Sequence, residues 1–278
     1  MTVKLFSGLI SSKDNPKVKQ VINYKTDSNF FFVEGIKIIE EILKENVKIK
    51  TLIYTKEAMT NPKFNKLLSN LIAQKEIEYL YVTTDVFRKI SDVEEPQEIA
   101  AIVHRKTSNI ENFLKNIPKN SIFVALDRIT DPGNLGTIIR TCKSANVTGL
   151  IISKNSVSLY NQKVIRATMG AFLGMCVIDE VSLHHFINEL KEHSVTIITT
   201  DLKSDKNYYE INYNLPVCFV FGNESTGISK PMLKQSDFNV KIPILSNIDS
   251  LNVAVTSGII IYEAIRRFKL YLTPSKSL

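Results

Sequence analysis

Short apolar runs alternate with amphipathic stretches along the whole chain. Between residues 14 and 106, strand-like runs fall at 30–34, 50–55, 77–82 and 99–104, and apolar residues at helical spacing predict helices over 36–45, 61–73 and 85–90. This pattern describes a compact α/β unit spanning residues 1–106. The stretch TSNIENFLKNIPKN, 107–120, is polar on one side and contains Pro118 near its end, which suits a linker with a helical turn or two.

From 121 to 278 the alternation is more regular. SIFVALD is followed by a predicted helix over 134–146, GLIIS by a helix ending near Met169, and MCVID by a helix over 182–193. Strands VTIITT, VCFVFG and NVKIPI come next, then a long helix over 251–268. Continuous β-branched runs between helices predict strands buried on both faces, hence a mostly parallel sheet. No internal repeat or low-complexity tract interrupts it.

Three loops of this second unit carry polar residues that the fold does not demand. In DRITDPGNLGTIIRTCKSA, Asp131-Pro132-Gly133 is turn chemistry, Asn134 is a candidate N-cap, and Arg140 follows in the second predicted turn. The chain has only seven arginines against 28 lysines, so an arginine beside a sheet edge stands out, although an exposed or ion-paired structural arginine fits the same residues. In FVFGNESTGIS, Gly222 and Gly227 allow close backbone approach or positive φ, and Glu224 is the charged side chain of the turn; a plain glycine turn reads equally well. In IPILSNIDSLNVAVTSGIIIYEAIRR, Ser250 can cap the last helix, which is apolar almost all round and should be buried on most sides. Ser250 and Asn252 need polar partners there, and a cap explains only one of them.

Composition narrows the picture without deciding it. At 278 residues and 44% hydrophobic content the chain can fill two cores. The net charge of +7 is spread over both halves, compatible with RNA but equally with ordinary soluble proteins. Cys142, Cys176 and Cys218 form no C-x-x-C pair, and the four histidines show no ligand spacing beside them, so neither a disulfide framework nor a metal site is expected. The first residues lack the apolar core of a signal peptide and no run nears the length of a membrane span, so a cytoplasmic protein without membrane association is expected.

In order and spacing, DPGNLGTIIRT, FGNESTGIS and IPILSNIDSLNVAVTSGIIIYEAIRR resemble the three signature motifs of the SpoU/TrmH family of RNA ribose methyltransferases, and NQKVIRATMGAF between them is also similar. ISSKDNPKVK followed by FFVEGIKIIEEIL resembles the substrate-binding domain that precedes the catalytic domain in ribosomal-RNA members. The resemblance implies a small N-terminal α/β RNA-binding domain and a SPOUT-type parallel-sheet catalytic domain with a C-terminal trefoil knot, which pattern reading would not propose. It implies methyl transfer from S-adenosylmethionine to a ribose 2′-hydroxyl, with ribosomal RNA, 23S above all, as first choice of substrate and transfer RNA as second. It also implies a homodimer paired through catalytic domains, the last helix contributing.

By the same resemblance, backbone groups at Gly222, Ile242 and Leu251 hold the cofactor, and Arg140, Asn134, Glu224, Ser250 and Asn252 serve the acceptor hydroxyl. A guanidinium is a poor base, so Arg140 is expected to orient the hydroxyl and stabilise developing alkoxide, with Glu224 fixing the Arg140 side chain. Lys13, Lys17 and Lys19 are candidate phosphate contacts, or simply a solvated helix face. Where the family carries a longer basic stretch before FFVEG, this chain has only YKTDSN. Two other classes remain: a catalytically silent RNA-binding protein of the same fold, and a nucleotide-cofactor oxidoreductase. The latter fits worse, because GNLG lacks the dinucleotide-binding glycine spacing.

Overall fold

A computed structural model describes residues 8–71, 76–106, 110–115 and 117–270. The chain forms two compact units, Met1–Thr107 and Ser108–Leu278. The first begins with a helix, α1 (Pro16–Tyr24), that the pattern of apolar residues does not suggest. Asn15 caps it by accepting from Lys17 N at 2.9 Å, Pro16 supplies its first turn, and only Val18 and Val21 are buried on its inner side. Two buried positions among lysines are too few for a visible stripe.

After α1 come β1 (Phe30–Glu34), α2 (Ile36–Lys44), β2 (Ile49–Tyr54), α3 (Pro62–Leu71), β3 (Glu78–Tyr81), α4 (Thr84–Ile90) and β4 (Ile99–His104), as the alternation predicts. Residues 72 and 73, the expected end of the third helix, lie outside the described residues. The sheet order is β1-β4-β2-β3, with β4 antiparallel to both neighbours and β2 parallel to β3. Phe32, Ile53, Leu80, Phe87 and Ile102 form its core with Val18 and Val21 of α1.

The second unit contains α5 (Ile110–Lys115), β5 (Ile122–Asp127), α6 (Pro132–Ser144), β6 (Gly149–Ser153), α7 (Gln162–Thr168), β7 (Val177–Val181), α8 (Leu183–Glu192), β8 (Thr196–Thr200), β9 (Val217–Gly222), α9 (Lys230–Gln235), β10 (Phe238–Val240) and α10 (Val253–Phe268). Helix α5 falls in the expected linker, of which 107–109 and 116 lie outside the described residues. All six strands are parallel, in the order β10-β8-β9-β5-β6-β7. β5 and β9 are buried at every position, which explains their unbroken apolar runs.

Helices α6 and α7 meet at a glycine. A Cβ on Gly136 would stand 2.3 Å from that of Ala167, so only glycine permits this approach. Two expectations fail at the other end of the chain. The strand foreseen over 239–244 stops at Val240, because Lys241 turns to pair with Lys206 and Tyr208 backbone. The last helix is buried along one side only: Ser257, Ile261 and Ala264 are covered, while Val255 and Tyr262 are 51% and 49% exposed. On its outer side a single chain leaves Val255 and Tyr262 to solvent, with Ile259 half-buried between them.

Candidate functional site

Adjacent strands β5 and β9 end side by side, Asp127 pairing with Gly222, so the loops that follow them are neighbours. Asp127 is 4% exposed and its Oδ2 accepts from Ser229 N at 2.7 Å. Arg128, at φ 61°, donates from Nε to Asp127 Oδ1 at 2.9 Å and from Nη2 to the Gly227 carbonyl at 3.1 Å. The hydrogen bonds that it donates to the Asp127 carboxylate hold this guanidinium's pKa above its ordinary value, so Arg128 is a permanent cross-strap between the two loops. Asn223 completes the strap. Its Nδ2 donates to the Arg128 carbonyl at 2.8 Å, and its Oδ1 accepts from the Ser225 and Thr226 amides in a local turn.

Glu224 is the hub. Its carboxylate accepts from Thr130 N at 3.2 Å, Asp131 N at 3.1 Å and Asn134 Nδ2 at 3.1 Å. Partial burial pushes its pKa up, but Asn134, its own amide, and the amides of Asp131 and Thr130 together outweigh that and hold it below the usual carboxylate range. Asn134 in turn accepts at Oδ1 from Asn252 Nδ2 at 2.8 Å, and Asn252 Oδ1 accepts from the Ala254 and Val255 amides at 2.8 and 3.3 Å. A carboxylate only accepts, so Asn134 must present its NH2 to Glu224 and its oxygen to Asn252, and Asn252 must present its NH2 to Asn134. The result is a one-directional relay through all three loops, from the start of α10 to Glu224.

Two capping assignments therefore change. The α6 N-cap is Asp131, whose side chain accepts from Asn134 N at 2.7 Å, and the α10 N-cap is Asn252. Asn, Asp and Ser all suit such positions from sequence; geometry separates them. Ser250 is exposed, outside the relay, and caps nothing.

Arg140 lies in the third turn of α6, since that helix begins at Pro132 rather than at Asn134. It is exposed, and its side chain makes no hydrogen bond or ion pair among the described residues. The expectation that Glu224 fixes it is not met: every oxygen of Glu224 points to the 130–134 segment.

Gly222 is required by packing. A Cβ there would lie 2.3 Å from Ile228 N and 2.4 Å from the Gly227 carbonyl carbon, where the loop folds back over it. Gly227 has φ +67° and open space where its Cβ would be. The segment 242–251, from Ile242 to Leu251, makes no hydrogen bond among the described residues, while Lys241 before it and Asn252 after it are both bonded. Ile242 and Leu251 are half-buried. Unpaired N–H and C=O groups at its half-buried ends suit a ligand held by backbone donors and acceptors, while residues 245–250 between them are exposed. The main chain at Ile242 and Leu251 thus fits a group held by backbone contacts, as an adenosyl cofactor would be.

Lys17 pairs with Glu78 at 2.8 Å and Lys19 with Asp14 at 3.8 Å, while Lys13 is exposed before α1. Asp127, Arg128, Thr130, Asp131 and Asn223 escaped sequence reading as site residues. Their signal is positional, at or just beyond the C-terminal ends of two adjacent parallel strands, but adjacency of β5 and β9 cannot be read from order along the chain. Among the described residues no group of three or more His, Cys, Asp or Glu could hold a metal ion, and no helix is long and apolar enough to cross a membrane.

Residues 121–262 match the SpoU rRNA Methylase family, and residues 15–101 match the MRM3-like substrate binding domain. The chain is 28% identical over 259 residues to the 23S rRNA (guanosine(2553)-2′-O)-methyltransferase RlmP of Bacillus subtilis, covering 91% of this chain and 98% of the relative. It is 26% identical to the 23S rRNA (guanosine-2′-O-)-methyltransferase RlmB of Neisseria meningitidis, over 84% of this chain and 94% of that protein. Among solved structures, the AdoMet-bound rRNA methyltransferase from Sinorhizobium meliloti superposes with a TM-score of 0.82 at 29% identity, covering 94% of this chain and 98% of the other.

Proposed function

The chain belongs to the SpoU rRNA Methylase family, and from that premise we propose that the site around the Asn252–Asn134–Glu224 relay methylates a ribose 2′-hydroxyl of 23S ribosomal RNA. It is an S-adenosylmethionine-dependent RNA 2′-O-methyltransferase. The observation that carries the site assignment is the relay itself, because it brings together one polar residue from each of the three motif loops. Bound S-adenosylmethionine supplies an activated methyl group on a sulfonium leaving group. The main chain at Gly222, Ile242 and Leu251 holds it.

Each side chain then has a distinct task. Among the described residues no carboxylate pairs with Arg140, so its guanidinium is available to orient the attacking hydroxyl and stabilise negative charge growing on that oxygen. A guanidinium does not accept the proton, which passes to solvent or to an RNA phosphate. Glu224 and Asn134 are positioning residues: they fix the first turn of α6, and through it the course of the helix that carries Arg140. Asn252 aligns the start of α10, just beyond the cofactor segment, with the same turn. Ser250, exposed beside it, contacts the substrate nucleotide. On the first unit Lys13, Lys17 and Lys19 contact RNA phosphates. The ion pairs of Lys17 and Lys19 are surface pairs worth little, so they exchange readily for phosphate.

Two chains pair through the uncovered stripe of α10 at Val255 and Tyr262, and the protein acts in the cytoplasm. The enzyme reading is tested with purified protein, labelled S-adenosylmethionine and ribosomal RNA, and by mapping ribose methylation in total RNA from cells with and without the protein. Loss of one 23S site in the deletion supports it; a lost site in transfer RNA would move the substrate there, and an unchanged map would overturn it.

A further inference from the structure

The pairing of β6 with β7 is interrupted near its C-terminal end. Ile151 pairs with Ile178 but Ser153 pairs with Val181, so Ile152 faces two residues, Asp179 and Glu180. Such bulges re-aim side chains. Glu180 sits at φ 57°, a conformation that glycine adopts freely and a residue with a Cβ does not. Beside this bulge lies a cavity of about 310 Å³, lined by Ser153, Lys154, Asn155, Val157, Asp179 and Glu180 among others. Its volume is in the range of small-molecule sites.

The cavity shares a wall with the reaction site. Ser153 Oγ accepts from Arg128 N at 2.8 Å, and Val157 N donates to the Ile129 carbonyl at 2.8 Å. The next two amides of that loop, Thr130 and Asp131, donate to Glu224. In the sheet order the cavity stands one to two strands beyond β5, a displacement of roughly 5–10 Å. That is comparable with the reach from a ribose to the outer edge of its own base.

The lining carries the Lys154 ammonium beside the two carboxylates, Asp179 already has an interaction of its own, and the Glu180 carboxylate can accept from paired N–H donors. Guanine offers N1–H and the N2 amino group side by side, whereas adenine offers a single amino group, and uracil one N–H between two carbonyls. We infer that this cavity receives the base of the nucleotide whose ribose is methylated, and that Asp179 and Glu180 select guanine there. The inference rests on the ribose-methyltransferase reading. Enzymes that read an extruded base do so through its hydrogen-bonding edge, and a carboxylate kept at a left-handed position is accounted for by that task.

The test uses the full chain, with nucleosides as probes and amide NMR shifts as readout. Guanosine should shift the amides of 153–158 and 178–181, adenosine should bind about tenfold more weakly or worse, and inosine, which lacks the amino group, should fall between. Glu180→Gly should raise Tm by relieving the left-handed residue, yet weaken guanosine about tenfold, with S-adenosylmethionine affinity by calorimetry unchanged; Asp179→Asn should weaken guanosine without the gain in Tm. Equal binding of adenosine, no shifts at these amides, or undiminished guanosine affinity in both variants overturns the inference. S-adenosylmethionine binding in the same sample separates the two levels. If it is retained while guanosine fails, only the base pocket falls; if it is absent, the enzyme reading falls first.

Discussion

Because the relay runs in one direction, Asn252 can be altered so that its two halves separate. In Asn252→Asp, Oδ1 still accepts from the Ala254 and Val255 amides, but an oxygen replaces the NH2 group that donates to Asn134 Oδ1 at 2.8 Å. Asn134 cannot turn over to compensate without withdrawing its NH2 from Glu224. The cap is kept, and an acid at a helix N-terminus gains about 0.3–1 kcal/mol. The lost bond costs about 1 kcal/mol. Global stability should therefore stay within about 1 kcal/mol of the parent, while methyl transfer falls at least tenfold because α10 and α6 are no longer registered. Asn252→Ala loses both functions, and its cost should approach about 2 kcal/mol. Urea unfolding of the single and double alanine variants at 134 and 252 gives the coupling directly, and about 1 kcal/mol is expected. Additive effects, or full activity in the Asn252→Asp variant, would refute the relay as a positioning device.

Other outcomes follow from the same geometry. Arg140→Ala should lower single-turnover methyl transfer by on the order of 10²-fold with cofactor affinity unchanged by calorimetry; equal loss of cofactor binding would contradict the division of roles. Gly222→Ala forces a Cβ against Ile228 N and the Gly227 carbonyl carbon and should cost about 1–3 kcal/mol, whereas Gly227→Ala meets only its positive φ and should cost about 1–2 kcal/mol; the ranking is read from denaturation midpoints. Glu224 has a folded-state pKa below its unfolded one, so its stabilisation is present in full above the ordinary carboxylate range and is lost as pH falls through the depressed value. Glu224→Gln should therefore be less stable at neutral pH and show a flatter loss of stability in acid, checked by thermal melts from neutral to acid pH. By light scattering the parent should run as a dimer and Val255→Glu combined with Tyr262→Glu as a monomer, and two equal masses would remove α10 from the contact.

The strands of the second unit were legible because burial on both faces writes an unbroken apolar run into the sequence, as in SIFVALD and VCFVFG. Helix α1 was not, since its inner face needs only Val18 and Val21. Loop chemistry was half legible. Motif resemblance put Asn134, Glu224 and Asn252 in one site, and the hydrogen bonds unite them, but which residue caps which helix depends on distances of a few ångströms between loops far apart in sequence. The partner of Arg140 was misjudged for a related reason: two opposite charges in neighbouring loops invite pairing, yet Glu224 is already saturated by amides that no side-chain pattern reveals. The outer face of α10 shows the converse, where the sequence demands a cover that one chain does not provide.

The segment 242–251 resembles a strap buckled at two points, at Lys241 to the 206–208 backbone and at Asn252 to Asn134, with nothing fastened between. Such a strap can tighten or slacken around what it encircles without shifting either buckle. On the proposed reading grip and aim are therefore adjustable separately: changes at Ile242 and Leu251 tune how firmly the donor is held, while the geometry presented to the other reactant is set by Arg140 on α6 and by Ser250 near the strap's far end.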